Sequence, residues 1–132
     1  MRKPFIAGNW KMYKTPAETR EFFQHLVPLI EKTKIDVAIC PPFIAIETAI
    51  TMAKGTLIGI GAQNVYWEEE GAYTGEVSPS MLVSIGCQYS IVGHSERRQL
   101  FGETNETVHK KVKALLKHRV TPIVCVGETL AE

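Results

Sequence analysis

Short apolar runs alternate with longer amphipathic stretches along this chain. We predict five strands from the apolar runs, over residues 5–10, 37–40, 57–62, 89–93 and 122–126. In the stretches between them, apolar residues recur at the 3.6-residue period of a helix. The resulting β-α-β-α-β-α-β-α-β order is typical of a parallel sheet with right-handed crossovers. Because the runs are apolar on both faces, we expect the sheet to be covered on both sides.

Capping residues mark where the helices begin. Thr15 is predicted as the N-cap of the first helix, with Pro16 at its first position and Glu18 closing a capping box. Pro28 lies inside this helix, where a proline predicts a kink or an early end. We place the later helices at 44–54, 78–86 and 104–118, and a long loop at 63–75.

Composition narrows the classes of protein that remain. The 132 residues are 45% hydrophobic, which suits one domain over residues 1–132 and is too little for two. The 15 Lys and Arg nearly balance the 14 Asp and Glu, so bulk charge does not indicate a nucleic-acid or membrane partner. No apolar run approaches the ~20 residues of a transmembrane helix, and none near residue 1 predicts a signal peptide. Cys40, Cys87 and Cys125 are odd in number and widely spaced, as expected of reduced thiols in a cytoplasmic protein.

Two architectures fit the order of elements, an open doubly wound sheet and part of a closed barrel. No G-x-G-x-x-G motif follows the first strand, which disfavours the dinucleotide-binding version. In both architectures, functional groups lie at the carboxyl ends of the strands. The residues that follow each apolar run are therefore the candidates for a site.

Polar side chains follow the first and third strands. Asn9 and Lys11 are two residues apart, so an extended chain places both on one face. Lys11 is either a fixed positive charge for an anionic substrate or a solvated surface lysine. Gln63 and Asn64 follow the third strand, where amides also serve as ordinary loop caps. Spacing alone does not decide between a binding role and an ordinary structural role for these residues.

The segment after the fourth strand is the densest in functional groups. It reads Gly93-His94-Ser95-Glu96-Arg97-Arg98, in a position that opens a helical turn. Backbone N–H groups at a helix N-terminus favour a neutral imidazole, and a neutral His94 can donate a hydrogen bond to a carbonyl oxygen that gains charge. The alternative is a structural histidine. Arg97 and Arg98 either take part in the site or form structural ion pairs with Glu96, Glu103 or Glu106. We favour ion pairing for Arg98. No His, Cys and Asp cluster has the spacing of a zinc site.

Six segments in order resemble the triosephosphate isomerase family. They are Ala7-Gly8-Asn9-Trp10-Lys11-Met12, Cys40-Pro41-Pro42-Phe43, Gly61-Ala62-Gln63-Asn64, Gly71-Ala72-Tyr73-Thr74-Gly75-Glu76-Val77-Ser78, Val92-Gly93-His94-Ser95-Glu96-Arg97-Arg98 and Cys125-Val126-Gly127-Glu128-Thr129-Leu130. The resemblance covers the whole chain. It implies a TIM (β/α)8 barrel, of which these residues supply about four βα units and the fifth strand.

The resemblance implies a cofactor-free glycolytic enzyme that interconverts dihydroxyacetone phosphate and D-glyceraldehyde 3-phosphate through an enediolate. Lys11 and Asn9 would bind the substrate, His94 would polarise its carbonyl, and Glu96 is grouped with these catalytic residues. Ser95 and Cys125 would support the site. A homodimer is also implied, in which Tyr73, Thr74 and Gly75, within the loop 71–75, contact the partner.

The same resemblance implies parts that these residues do not supply. A whole barrel needs about 250 residues. The glutamate base of the family follows a sixth strand, and glycine-rich phosphate loops follow the seventh and eighth. We therefore expect the 132 residues to be inactive alone. The alternative functions are a non-catalytic half-barrel that self-associates or complements a separate C-terminal half, and a different phosphate-binding barrel enzyme.

Overall fold

A computed structural model describes residues 1–132 and contains five strands and five helices. They are β1 (Phe5–Asn9), α1 (Pro16–Ile30), β2 (Asp36–Cys40), α2 (Phe43–Ala53), β3 (Ile58–Ala62), α3 (Pro79–Ser84), β4 (Tyr89–Val92), α4 (Ser95–Leu100), α5 (Asn105–Lys117) and β5 (Thr121–Val124). The strands form one sheet in the order β1-β2-β3-β4-β5, and every neighbouring pair is parallel. The predicted order of elements is confirmed, except that two helices, α4 and α5, connect β4 to β5 where one was predicted.

The sheet curls as it runs from β1 to β4. Two strands separate β1 from β4, a distance of about 14 Å in a flat sheet. The rings of Phe5 on β1 and Tyr89 on β4 nevertheless lie with centroids 5.3 Å apart. Their side chains therefore meet across a concave face. The result is a curled half-barrel, which confirms the predicted fold class.

The main core lies between the helices and the sheet. Each of four helices contributes a fully buried side chain, namely Phe23, Ile46, Leu82 and Leu115. They join a cluster with buried strand residues that include Ile58 and Ile60. Apolar burial of this kind is the dominant favourable term in folding. It fixes the helices against the sheet and so holds the strand ends in place.

Burial falls from the centre of the sheet to its edges. All five residues of β3 are buried, whereas the first three residues of β1 are exposed. Phe5 and Ile6 keep 41% and 58% of their surface in water. On β5, Val124 is 44% exposed. Within these residues, β1 and β5 each pair with a single strand, so each presents one unpaired edge.

The predicted helix starts are confirmed by the hydrogen bonds of their caps. The Thr15 hydroxyl accepts from the Glu18 amide at 3.3 Å, and the Glu18 carboxylate accepts from the Thr15 amide at 2.7 Å. Ser78 caps α3 by accepting from the Met81 amide at 3.2 Å. At the other end of α2, Gly55 has the positive φ of +75° expected after a helix.

The structure differs from the prediction at two places. Of the kink or early end predicted at Pro28, the early end does not occur, because α1 continues to Ile30. A proline removes one helical hydrogen bond, and the packing of Val27 and Ile30 against the core retains the last turn. The fifth strand ends at Val124, so Cys125 lies one residue beyond it rather than within it. Its amide still donates to the Val92 carbonyl at 3.0 Å.

Candidate functional site

The carboxyl ends of β1, β3 and β4 surround a cleft of about 290 Å³. Its lining includes Asn9, Lys11, Gln63, His94 and Glu96. Asn9 and Glu96 are 87 positions apart in the sequence, but all five residues lie at the same end of the sheet. Parallel strands produce this convergence because all of their carboxyl ends meet at one edge. The structure thus brings together the predicted substrate-binding and catalytic residues.

Lys11 is held by its backbone in an uncommon conformation. Its φ is +56°, in the left-handed region that few side-chain-bearing residues adopt. The Lys11 amide donates to the Asn9 side-chain oxygen at 2.9 Å. Its carbonyl accepts from the Gln63 side-chain amide at 2.8 Å, and that same nitrogen also donates to the Cys40 carbonyl at 2.9 Å. Such strain persists only where neighbours over-determine it, and here Asn9 and Gln63 do so.

The Lys11 ammonium pairs with a carboxylate at the mouth of the cleft. Its Nζ lies 2.7 Å from Oε1 of Glu96, and the two side chains are 50% and 43% exposed. The hydrogen bond that Lys11 donates to this carboxylate lowers the pKa of Glu96 and raises the pKa of Lys11. Exposed pairs of this kind add little stability. Lys11 thus presents a cation that an incoming anion can reach.

His94 sits at the N-cap of α4, directly after a glycine turn. Gly93 has a φ of +72°, a conformation that costs glycine little. Nδ1 of His94 accepts a hydrogen bond from the Glu96 amide at 3.2 Å. A backbone N–H is always a donor, so Nδ1 carries no proton in this geometry. A ring whose Nδ1 is bare carries its proton on Nε2 and can donate a hydrogen bond from there.

The predicted supporting residues lie on the other side of His94. Ser95 and Cys125 line a second cleft of about 660 Å³, together with His94 and Glu128. Burial raises the pKa of the Cys125 thiol, and those of Cys40 and Cys87 rise to about 12 and about 11 for the same reason. All three cysteines are free. Thiols with raised pKa values are poor nucleophiles at neutral pH.

The buried ion pair between Glu103 and Lys111 was not predicted. The Lys111 Nζ lies 3.0 Å from Oε1 of Glu103, and their side chains are 7% and 2% exposed. One signal was available, because Lys111 stands three residues after Val108 and four before Leu115, on the buried stripe of α5. The role of Gln63 had no such signal.

The two arginines after His94 behave differently. Nε of Arg97 donates to Oε2 of Glu103 at 3.0 Å, which is the ion pair considered for it. The ion pair favoured for Arg98 is wrong. Its guanidinium donates to the Gly93 carbonyl and to the Asn105 side-chain oxygen, both at 2.8 Å. Arg98 therefore fixes the turn before His94 instead of neutralising a carboxylate.

The loop 71–75 stands apart from both clefts. Tyr73, Thr74 and Gly75 are all exposed, and Gly75 has a φ of +92°. The Tyr73 ring packs 4.9 Å from that of Tyr66, which anchors the base of the loop. The tip of the loop is thus presented to solvent in a defined shape.

No group of three His, Cys, Asp or Glu side chains converges closely enough to hold a metal ion. None of the helices combines the length and the apolar character needed to cross a bilayer.

The fold and the cleft define a class. A curled parallel sheet with flanking helices, whose lysine, histidine and carboxylate meet at the strand carboxyl ends, belongs to the TIM-barrel proteins. The sequence model described as triosephosphate isomerase matches residues 4–132. The chain belongs to the triosephosphate isomerase family.

Individual relatives agree with the family match. The chain is 54% identical over 132 residues to triosephosphate isomerase of Caldanaerobacter subterraneus subsp. tengcongensis, which covers all of this chain and 53% of the relative. Triosephosphate isomerase of Solibacter usitatus is 57% identical over 133 residues, with the same coverage of 100% and 53%. That of Moorella thermoacetica is 54% identical over 132 residues. The chain spans about half the length of the curated relatives it matches.

Proposed function

We propose that this chain carries the electrophilic part of a triosephosphate isomerase site, which interconverts dihydroxyacetone phosphate and D-glyceraldehyde 3-phosphate without a cofactor. The supporting observation is that Lys11 and His94 line one cleft, with Glu96 hydrogen-bonded to both. Family membership supports the substrate class, because the relatives are named for it.

The chemistry follows from where charge develops. Removing a proton next to a carbonyl builds negative charge on the carbonyl oxygen, and donors fixed in advance stabilise that charge. The Nε2–H of His94 is such a donor, since its Nδ1 is occupied by the Glu96 amide. The Lys11 ammonium supplies the positive field and binds the anionic substrate. Asn9 keeps the Lys11 backbone in place.

We assign the proton-abstracting base to a residue outside these 132. Glu96 is the carboxylate beside His94, but its pairing with Lys11 at 2.7 Å lowers its pKa. A carboxylate with a lowered pKa is a weaker base, and general bases work best with pKa values near the working pH. The 132-residue chain alone should therefore give no turnover above the buffer rate.

The test is an isomerase assay of the full-length protein with D-glyceraldehyde 3-phosphate, beside the 132-residue chain. We expect turnover by the full-length protein, and a loss of ~10²–10³-fold in His94→Ala, the size typical of removing one such donor. His109→Ala, on the exposed side of α5, is the matched control and should keep its activity. An inactive full-length protein would refute the function. Turnover by the short chain that His94→Ala abolishes would refute the assignment of the base.

A second function draws support from the sheet edges. Ile6 on β1 and Val124 on β5 are 58% and 44% exposed, and unpaired parallel edges invite association. In this hypothesis the half-barrel is non-catalytic and self-associates, or it complements a separate C-terminal half. Light scattering of the 132-residue chain discriminates these cases. An inactive, concentration-dependent oligomer would favour self-association, whereas a chain that gains activity on addition of residues from the other half of a relative would favour complementation.

We also propose that the full-length protein is a homodimer through loop 71–75. The support is the exposure of Tyr73, Thr74 and Gly75 on an ordered loop. Thr74→Arg should place a bulky charge in the contact and shift the protein to monomer by light scattering. Glu70→Arg, just outside the loop, is the control. A dimer that persists in Thr74→Arg would count against this interface.

A further inference from the structure

The buried Glu103–Lys111 pair is fully satisfied. The two charges lie in a dry environment, at 2% and 7% side-chain exposure, where removing water costs several kcal/mol per ion. No buried side-chain nitrogen or oxygen in the structure lacks a hydrogen-bond partner. A pair of this kind is weak evidence for stability, since apolar residues of similar volume often serve as well. Its partners therefore indicate what it does.

Glu103 holds the backbone just before His94. Its Oε1 accepts from the Gly93 amide at 3.3 Å, while its Oε2 accepts from Nε of Arg97 at 3.0 Å. The Gly93 carbonyl accepts from Nε of Arg98 at 2.8 Å. Both backbone polar groups of Gly93 are thus bound to charged side chains. The Gly93–His94 turn, which orients the His94 ring, cannot rotate without breaking these hydrogen bonds.

Lys111 connects that turn to the opposite side of the cleft. Its Nζ donates to Glu103 at 3.0 Å and also to the side-chain oxygen of Asn64 at 2.8 Å. Asn64 follows Gln63, whose amide holds the carbonyl of Lys11. One ammonium therefore links the end of β3, which fixes Lys11, with the end of β4, which fixes His94.

We infer that Glu103 and Lys111 are positioning residues, which hold the Gly93–His94 turn so that Nε2–H of His94 faces the cleft. This inference rests on the proposed isomerase function. Neither residue lines the cleft. They act through the Gly93 backbone, because a displaced turn moves Nδ1 away from the Glu96 amide that fixes its tautomer.

The experiment compares two charge-free double variants of the full-length protein. Glu103→Leu with Lys111→Met removes both charges and the acceptor for the Gly93 amide. Glu103→Gln with Lys111→Met removes both charges but keeps a carbonyl acceptor. The first should lower kcat about 10–100-fold with KM little changed, the range expected for a small misplacement of a catalytic group. The second also loses the link from Lys111 to Asn64, so its kcat should fall several-fold and its His94 ring resonances should shift, both by less than in the first variant. Lys113→Met, an exposed lysine on the same helix, is the control.

A second readout separates positioning from stability. In ¹⁵N NMR spectra, the ring nitrogens of His94 should show one protonated and one bare site in wild type. Glu103→Leu with Lys111→Met should move these resonances toward averaged tautomers, whereas Lys113→Met should not. Thermal unfolding of each variant shows whether lost activity reflects lost fold.

The outcomes distinguish the inference from the proposed function. An inactive wild type would sink the function, and the ring resonances would still decide the positioning. A folded Glu103→Leu, Lys111→Met variant with wild-type kcat and unmoved resonances would overturn the inference. If that variant does not fold, wild-type kcat and resonances in Glu103→Gln with Lys111→Met would assign the pair to stability alone and overturn it too.

Discussion

Two lysine–glutamate pairs lie at the same end of the sheet and differ mainly in their surroundings. The Lys11–Glu96 pair closes to 2.7 Å with both side chains about half exposed. The Lys111–Glu103 pair is longer, at 3.0 Å, and almost fully buried. The shorter distance alone would make Lys11–Glu96 the stronger pair. Breaking the buried pair should nevertheless cost more, because water screens the exposed pair and is excluded from the buried one.

The two ion pairs contain the same charged groups but have different roles. The exposed pair leaves Lys11 within reach of an anion, which the strained but well-bound Lys11 backbone presents at the cleft. The buried pair has no such access, and all of its partners belong to the frame around the cleft. Loss of either partner is therefore expected to damage function in the first pair and folding in the second.

The largest effect should come from breaking the buried pair on one side. Lys111→Met removes one of the two counter-ions of Glu103 and leaves the buried carboxylate with Arg97 alone, which should cost up to about 3–5 kcal/mol of stability. Urea unfolding of the full-length protein measures this loss. Lys110→Met, next to it but exposed in a 3.7 Å pair with Glu106, should change stability little. Equal losses in the two variants would remove the distinction between the buried and exposed pairs.

Breaking the exposed pair should reduce activity rather than stability. Lys11→Ala should lower kcat/KM about 10²–10³-fold, the size of losing one group that stabilises transition-state charge. Its thermal midpoint should stay close to that of wild type. Lys3→Ala is the matched control, since Lys3 forms an exposed pair with Asp36 at the opposite end of the sheet. Near-normal kinetics in Lys11→Ala would remove Lys11 from the site.

Gly93 joins the two regions, and its substitution should have an intermediate effect. Alanine there must keep a φ of +72°, and its Cβ would lie 2.9 Å from a methyl group of Val108. We expect a loss of roughly 1–3 kcal/mol from backbone strain, together with lower activity. Gly55→Ala has a φ of +75° but meets nothing within 4 Å, so it isolates the strain from the clash. Circular dichroism melts and kinetics of both variants check this. Equal effects would show that packing around Gly93 is unimportant.

The smallest effect should be the pH dependence of the exposed pair. The pKa of Glu96 is lowered in the fold, so its contribution is present above the ordinary value of 4.5 and is lost as pH falls through the lowered value. The pKa of Lys11 is raised, so its contribution is present below 10.5 and is lost as pH rises through the raised value. The stability difference between wild type and Glu96→Gln should be constant between these limits and shrink outside them. A stability difference between wild type and Glu96→Gln that grows as the pH falls would contradict an ion pair between Lys11 and Glu96.

Much of the fold could be predicted because its signals are local. The period of the apolar residues and the capping hydrogen bonds of Thr15 and Ser78 involve residues three or four positions apart. The predicted site residues Asn9, Lys11, His94 and Glu96 also meet in one cleft, since each lies at or shortly after the carboxyl end of a strand. Their predicted catalytic roles stay predictions. Of the kink or early end predicted at Pro28, the early end does not occur because core packing outweighs one missing hydrogen bond.

Local patterns along the chain therefore set the order of the elements and the residues at the strand ends. Which distant groups meet depends on the packed fold. Gln63 reaches the carbonyl of Lys11 across 52 positions, and Lys111 reaches Asn64 across 47. Such contacts depend on how the sheet curls and which helix face is buried, and these are properties of the whole packed chain. For that reason Lys111, to which the order of elements assigned no role, lies at the centre of the frame that holds the cleft.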